Sequence, residues 1–496
     1  MVGIVDETLR DGPQSLWATR MSTASMLPAA PWFNEAGFSK VCLTSGASFE
    51  TAVKFLRDDP WERLRLLRDC MPDATIDILI RSRNLFGWER YPDEVVELLF
   101  RCLRDTGTHW VKIFDGLNDM SNIAAHFRIA KQLGLKASGI MTFSLSPVHT
   151  DEYFAAKARE LTSYGADSIT MGDASGLLTG ERTRSLLTAI RREIGNQVPL
   201  EFVAHHSMGL AHDAYREALK VGVDTLATAC RPLANGESLP STLDVMAMAA
   251  DLGVRTGLDE AMVRRADDYF HWAAYQEGQP VPPAITYDAL QYKSFAGHQI
   301  PGGMMSNFRR QLSEIGLLHR LDEVLEEASR VRAEIGYPVM VTPFSQFVGV
   351  QAVFNVMHGE RYKTVPHELY LYALGHYGEP PGPIEPNVLD RILKGKSHDR
   401  VDSREVFETR IVEAFRREQG PFTSDEELLL HLFYGREHVE GMQREKSTFI
   451  KRPSAEQPLV VLMRELAGQP GLKNLKLEKG SLKLNLGLNN EAHYVS

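Results

Sequence analysis

Eight short runs of apolar and β-branched residues recur through the first half of the chain, and no other feature restricts its fold as much. They are GIV at 3–5, KVCL at 40–43, TIDILI at 75–80, WVKIF at 110–114, KASGIMTF at 136–143, SITM at 168–171, LEFVA at 200–204 and VDTLATA at 223–229. Their starts fall roughly 25–35 residues apart, with amphipathic stretches such as EVVELLFRCLRDTG and DAYREALKVGVD between them, the βα rhythm of a parallel sheet. Eight such units closing on themselves predict a TIM (β/α)8 barrel of about 250 residues. An open, doubly wound sheet has the same rhythm and stays the alternative.

The barrel carries a prediction about function, because sites in this fold gather where the strands end. Polar residues stand there: Asp6 after GIV, Arg81 after TIDILI, Asp115 after WVKIF, Asp173 after SITM, His205 after LEFVA and Arg231 after VDTLATA. Each alone reads as a loop residue or a helix cap, whereas six at matching places predict a site at the barrel mouth.

After about residue 245 the pattern changes to longer helical segments, including SNFRRQLSEIGLLHRLDEVLEEASRVRAEIG and SQFVGVQAVFNVMHG. The chain therefore divides into a barrel over 1–245, a mainly helical region over 246–450, and a linker with a small terminal segment over 451–496. KGKSHDRVDS and KRPSAEQP read as loops, and LKNLKLEKGSLKLNLG alternates like a hairpin around Lys479-Gly480.

Composition narrows the partners. Against 65 Asp and Glu there are 55 Lys and Arg, a formal net charge of −10, which provides no bulk attraction for nucleic acid or an anionic membrane. The four cysteines, Cys42, Cys70, Cys102 and Cys230, form no CxxC pair and suit a reducing compartment. No basic and apolar leader opens MVGIVDETLRDG, and no run of about 18 uncharged apolar residues occurs, so a cytoplasmic protein is expected.

The strongest local signal is DETLRDGPQSLWATRM at 6–21, followed by DDPWERLRLLR, LIRSRNLFGW, KIFDGLND, SPVHTDEYF, IPGGMMSNFRRQL, YPVMVTPFSQFVGVQAVFNV and GERYKTVPHELYLYALGHYGEPPGPI. Through these phrases, over about residues 3–440, the sequence resembles the pyruvate carboxyltransferase family: pyruvate carboxylase, the oxaloacetate decarboxylase α subunit and the transcarboxylase carboxyltransferase subunit. More distantly it resembles the isopropylmalate synthase and hydroxymethylglutaryl-CoA lyase barrels. The resemblance implies a barrel followed by a helical carboxylase-type domain that forms a homodimer. It also implies a carboxyl group arriving on biotin, an enolate of a small 2-oxo acid, and a divalent metal such as Zn or Mn polarising the keto oxygen.

Carried over by motif, Asp6 stands for the metal aspartate, Arg10 and Gln14 for substrate-side residues of the LRD segment, and Arg81 for the arginine of the LLRG phrase. Other positions depart. The family's carbamylated metal lysine becomes Gly172 in MGDASGLLTG, and its His-x-His becomes Val203-Ala204-His205, followed by His206. With Asp6 and His205 left, three outcomes stay open: His206, Asp173 or Glu7 is recruited, the metal binds weakly, or the site is metal-free. Glu237 replaces a proton-shuttling threonine, Lys112 an arginine, and Phe143 a tyrosine, so Lys112, Asp115, Phe143 and Asp173 are expected around the substrate and Glu237 as the proton carrier.

A biotin-accepting lysine between two methionines is absent up to Ser496, so biotin is expected in trans, on a separate carrier protein loaded by a biotin carboxylase subunit. The segment LVVLMRELAGQPGLKNLKLEKGSLKLNLG resembles the stretch preceding the biotinyl domain of carrier proteins and is a candidate docking element. The leading reading is an enzyme, a carboxyltransferase subunit of a multi-subunit biotin-dependent carboxylase or decarboxylase. The alternatives are a scaffold subunit without turnover and a biotin-independent aldol-type lyase or decarboxylase.

Overall fold

The computed structural model describes residues 1–300, 302–314, 316–395 and 406–445, together with the backbone of Asn474–Lys479 and Leu482–Gly487. Eight parallel strands close into a barrel in chain order: β1 Gly3–Asp6, β2 Lys40–Ser45, β3 Ile76–Arg81, β4 Trp110–Phe114, β5 Lys136–Thr142, β6 Ser168–Asp173, β7 Leu200–Ala204 and β8 Thr225–Thr228. β1 pairs with β8 in register Gly3↔Thr225 to Asp6↔Thr228, which settles closure against the open-sheet alternative. Each apolar run of the sequence is one of these strands, buried on both sides as parallel barrel strands must be.

The helices between strands bury one stripe. Asp93–Asp105 turns Val95, Val96, Leu99, Phe100 and Leu103 onto the barrel and leaves Arg104 and Asp105 outside. Its first turn carries Asp93 and Glu94, favourable at the positive end of the helix. The barrel lumen is unusual for its class. Lys40 pairs with Glu201, and Lys112 sits 2.9 Å from Glu7 Oε1 and 2.8 Å from Asp77 Oδ2, where packed aliphatic side chains are the norm.

Beyond β8 the helices Thr242–Asp251 and Glu260–Gln276 share the barrel's hydrophobic core. A second core is built from Ile300 to Leu393, centred on the antiparallel pair Leu321–Glu334 and Phe344–His358. Helical chain from Asp425 to Glu445 then returns to the barrel. Phe433 packs edge-on against Phe86 and Tyr91, and Tyr434 donates from its hydroxyl to the Phe86 carbonyl at 3.0 Å. β9 (Asn474–Lys479) and β10 (Leu482–Gly487) form an antiparallel ladder, as the alternating pattern predicts. The loops at KGKSHDRVDS and KRPSAEQP lie largely or wholly outside the described residues, as does the LVVLMRELAG part of the candidate docking element. Among the described residues no helix is long and apolar enough to cross a membrane.

Candidate active site

At the C-terminal ends of the strands lies a cavity of about 520 Å3, within the range of about 300–1,000 Å3 usual for small-molecule sites. Arg10, Gln14, Arg81, Lys112, Asp173 and His205 all line it, and Val341 and Thr342 from the helical region close one side. Of the eleven residues singled out in the sequence, the structure brings these six together.

The segment after β1 does most of the positioning. Pro13 sits in the first turn of a short helix, Asp11–Leu16, that crosses the mouth, and Arg10 and Gln14, four residues apart, fall on one face. This crossing is close: a Cβ on Gly12 would stand 2.7 Å from Leu233 Cβ and 2.9 Å from its carbonyl oxygen, so only glycine fits under the loop after β8. Arg10 donates to Glu7 Oε2 (2.8 Å from Nε) and to Asp11 Oδ1 (3.0 Å from Nη1). Burial alone would lower its pKa, but the two carboxylates outweigh it and hold the guanidinium firmly charged.

Asp11 is the residue that sequence reasoning missed. Its Oδ1 accepts from Arg10 Nη1 and from His205 Nε2 (3.1 Å), and its Oδ2 accepts from Ser238 Oγ (3.1 Å) and Ser15 Oγ (3.2 Å). Burial would raise the Asp11 pKa, yet His205 and Arg10 overcome it and keep the carboxyl well below the usual range. The His205 pKa moves the other way: burial works against the charged ring, and Asp11 more than compensates. The available signal was Pro13, which marks a helix start and so turns the side chain at position 11 back over the barrel axis.

Asp6 is corrected. Its carboxylate is fully buried and accepts from Thr8 N and Thr8 Oγ1 at 3.0 and 2.6 Å, outside the cavity, and burial pushes its pKa up to about 8. His206 is corrected for a reason of parity, since successive β7 side chains alternate between faces. Val203 and His205 point inward, while the His206 ring lies 4.4 Å from that of His212, its pKa lowered to about 4 by burial. Asp115 is a loop organiser that accepts from Ser82 Oγ, Asn122 Nδ2 and the Leu117 and Asp119 amides. Phe143 is core, stacked on Phe154 with centroids 5.8 Å apart. Glu237 is exposed on the loop after β8 and does not line the cavity, so the desolvation that a proton carrier needs is missing; its buried neighbour Ser238 donates to Asp11 Oδ2.

Three of the placed residues have distinct electrostatics. Lys112 is saturated by Glu7 and Asp77, both carboxylates overcoming the effect of burial to raise its pKa. Asp173 sits in the cavity wall with its pKa raised to about 6 by burial, while the Leu178 and Ser175 amides donate to it. Arg81 donates from Nη2 to the Gly87 carbonyl and lies 4.7 Å from the Trp88 ring, and its buried Nε has no hydrogen-bond partner. The side chain lines the cavity, and among the described residues no carboxylate contacts its charge. Gln14 is oriented by Ser45 Oγ, which donates to its Oε1 at 2.9 Å.

Two family models match the chain, a conserved carboxylase domain over residues 296–470 and an HMGL-like domain over 116–269. A pyruvate carboxylase subunit from Methanocaldococcus jannaschii is 38% identical over 396 residues, 79% of this chain and 68% of that protein. This chain belongs to the carboxyltransferase subunits of the biotin-dependent carboxylases. The 2-oxoglutarate carboxylase large subunit of Hydrogenobacter thermophilus is 35% identical over 397 residues, 80% of this chain and 60% of that protein. The carboxyl transferase domain from Rhizobium etli pyruvate carboxylase, solved with pyruvate and biocytin, matches with a TM-score of 0.80 at 26% identity, covering 90% of this chain and 78% of that one.

Within that family's fold, the donor set of this chain does not fit a divalent metal. Gly172 and Val203 face each other across β6 and β7, with a Cβ on Gly172 only 3.5 Å from Val203 Cγ1, and neither residue has a donor atom. The remaining pair, Asp11 and His205, already bond each other. Among the described residues no group of three or more His, Cys, Asp or Glu side chains converges as a cation site.

Proposed function

We propose that this chain transfers a carboxyl group between biotin on a separate carrier protein and a small 2-oxo acid, working beside a biotin carboxylase subunit. Carboxylated biotin would supply the carboxyl group. The observation that carries this reading is the Arg81 side chain, met by no carboxylate contact among the described residues, in a cavity that also holds Arg10, Asp11 and His205. Arg81 takes the substrate carboxylate, because it is the cavity cation whose charge is not already met by a carboxylate contact. Arg10 and His205 face the keto end, where negative charge gathers as the enolate forms. Gln14, fixed through Ser45, orients the substrate between them.

The test is decarboxylation of oxaloacetate in the presence of free biotin, together with exchange of the C3 protons of pyruvate and of 2-oxoglutarate into deuterium oxide followed by NMR. Turnover in wild type, with R81M raising KM about 100-fold through loss of a charge-assisted contact, is the expected result. A chain that neither decarboxylates nor exchanges any 2-oxo acid refutes the catalytic reading. A scaffold role is the second reading, and the closed hydrogen-bond set around Asp11 favours it specifically.

A further inference from the structure

The His205 ring stands between two groups that can only accept. Its Nε2 is 3.1 Å from Asp11 Oδ1 and its Nδ1 is 3.1 Å from the Ala174 carbonyl oxygen. Both ring nitrogens are therefore already engaged. Asp11 is equally full, since an ionised carboxylate has about four lone-pair sites and four donors occupy them: Arg10, His205, Ser15 and Ser238.

We infer that this barrel mouth works without a divalent metal ion, because the two side chains that could ligate one, Asp11 and His205, are bonded to each other and among the described residues no third donor stands beside them. The inference rests on the carboxyl-transfer reading for its catalytic meaning but not for its physical content. A metal entering here must displace the hydrogen bond between His205 and Asp11 and at least one other hydrogen bond to Asp11, and would gain two protein donors in return, fewer than the three or four that hold such ions. Arg10 Nη1 and His205 Nε2 converge on Asp11 Oδ1 from 3.0 and 3.1 Å, so the position a metal would need beside that atom is already taken by two N–H groups.

The strands also show how the alternative is blocked. Val203 and His205 are two residues apart on β7 and point the same way, so V203H adds an imidazole beside the existing one on a cavity-facing, half-buried position. The experiment takes the full chain, strips it with EDTA, dialyses separate samples against Zn2+ and Mn2+, and counts retained metal by mass spectrometry. The expected result is substoichiometric metal in wild type near neutral pH, and Zn2+ affinity in V203H about 100-fold or more above wild type.

One equivalent of metal in wild type that disappears in D11N overturns the inference. A V203H protein with wild-type thermal stability that retains no more Zn2+ than wild type also overturns it, because donor number would then not be what keeps metal out. Metal-free protein with no turnover of any 2-oxo acid counts against the carboxyl-transfer reading alone and leaves the metal-free site standing.

Discussion

Replacing Lys112 by Met tests the reading of the barrel lumen as a set of mutually dependent charges. Lys112 Nζ bridges Glu7 and Asp77 at 2.9 and 2.8 Å, and all three side chains are almost wholly buried, at 5%, 2% and 0% exposure. Methionine keeps the length and apolar character of the stem while removing the charge, leaving Asp77 without its nearest cation. Removing one partner of a buried ion pair costs about 3–5 kcal/mol, because the other is stranded in a poorly polarisable interior. At an m-value of about 3 kcal/mol/M, the urea midpoint falls by roughly 1–1.7 M, readable by tryptophan fluorescence.

Two further outcomes follow from the same picture. Adding D77N to K112M recovers part of the loss, since Glu7 keeps Arg10 while the stranded carboxylate is gone. The K112M defect also grows with pH. Burial already raises the Asp77 pKa, and without Lys112 it rises further, so the stability is present below the ordinary carboxylate range and lost as pH climbs through the raised folded value. A K112M loss below about 1 kcal/mol, or a D77N addition that simply sums with it, refutes the argument.

Asp6 gives a pH signature of its own. With a folded pKa of about 8 against an ordinary value near 3.8, its contribution to stability is complete below about pH 4 and declines by several kcal/mol as pH rises to 8, so D6N should flatten the thermal stability profile across that window. E237Q should leave oxaloacetate decarboxylation within about twofold, whereas S238A, which strips one hydrogen bond worth about 1–1.5 kcal/mol from Asp11, should cut kcat about tenfold. Gly336 lies at φ +88°, and a Cβ there would stand 2.1 Å from the Gly382 carbonyl oxygen, so G336A should cost about 3 kcal/mol and lower the melting temperature by several degrees in calorimetry.

The barrel was legible in the sequence because its signal is periodic: each buried parallel strand must be a continuous apolar run, and eight of them leave little freedom. The rim was legible only in part. Arg81, Asp173 and His205 were found because they follow directly on strands, where direction can be read from alternation. Asp6 and His206 stand one residue out of step with Val5 and His205, which line the cavity, so nearness to a strand end without the alternation put them on the wrong face. Asp11, by contrast, reaches the cavity only through a turn and a short helix whose path depends on Gly12 passing under Leu233. Ser238 was hidden beside Glu237 for the same reason, since the course of the loop after β8 is set by contacts made far away in the chain.

The pairing of Phe433 and Tyr434 with the loop around Phe86 has a consequence for biosynthesis. Arg81, which we propose receives the substrate, is made within the first hundred residues, yet the ridge bracing its loop is made some 350 residues later. A nascent barrel can close on the ribosome and still lack a rigid acid-binding corner until Asp425–Glu445 emerges. Competence then arrives only once that segment is made, and a chain cut short before it should keep its sheet but lose its grip on small anions.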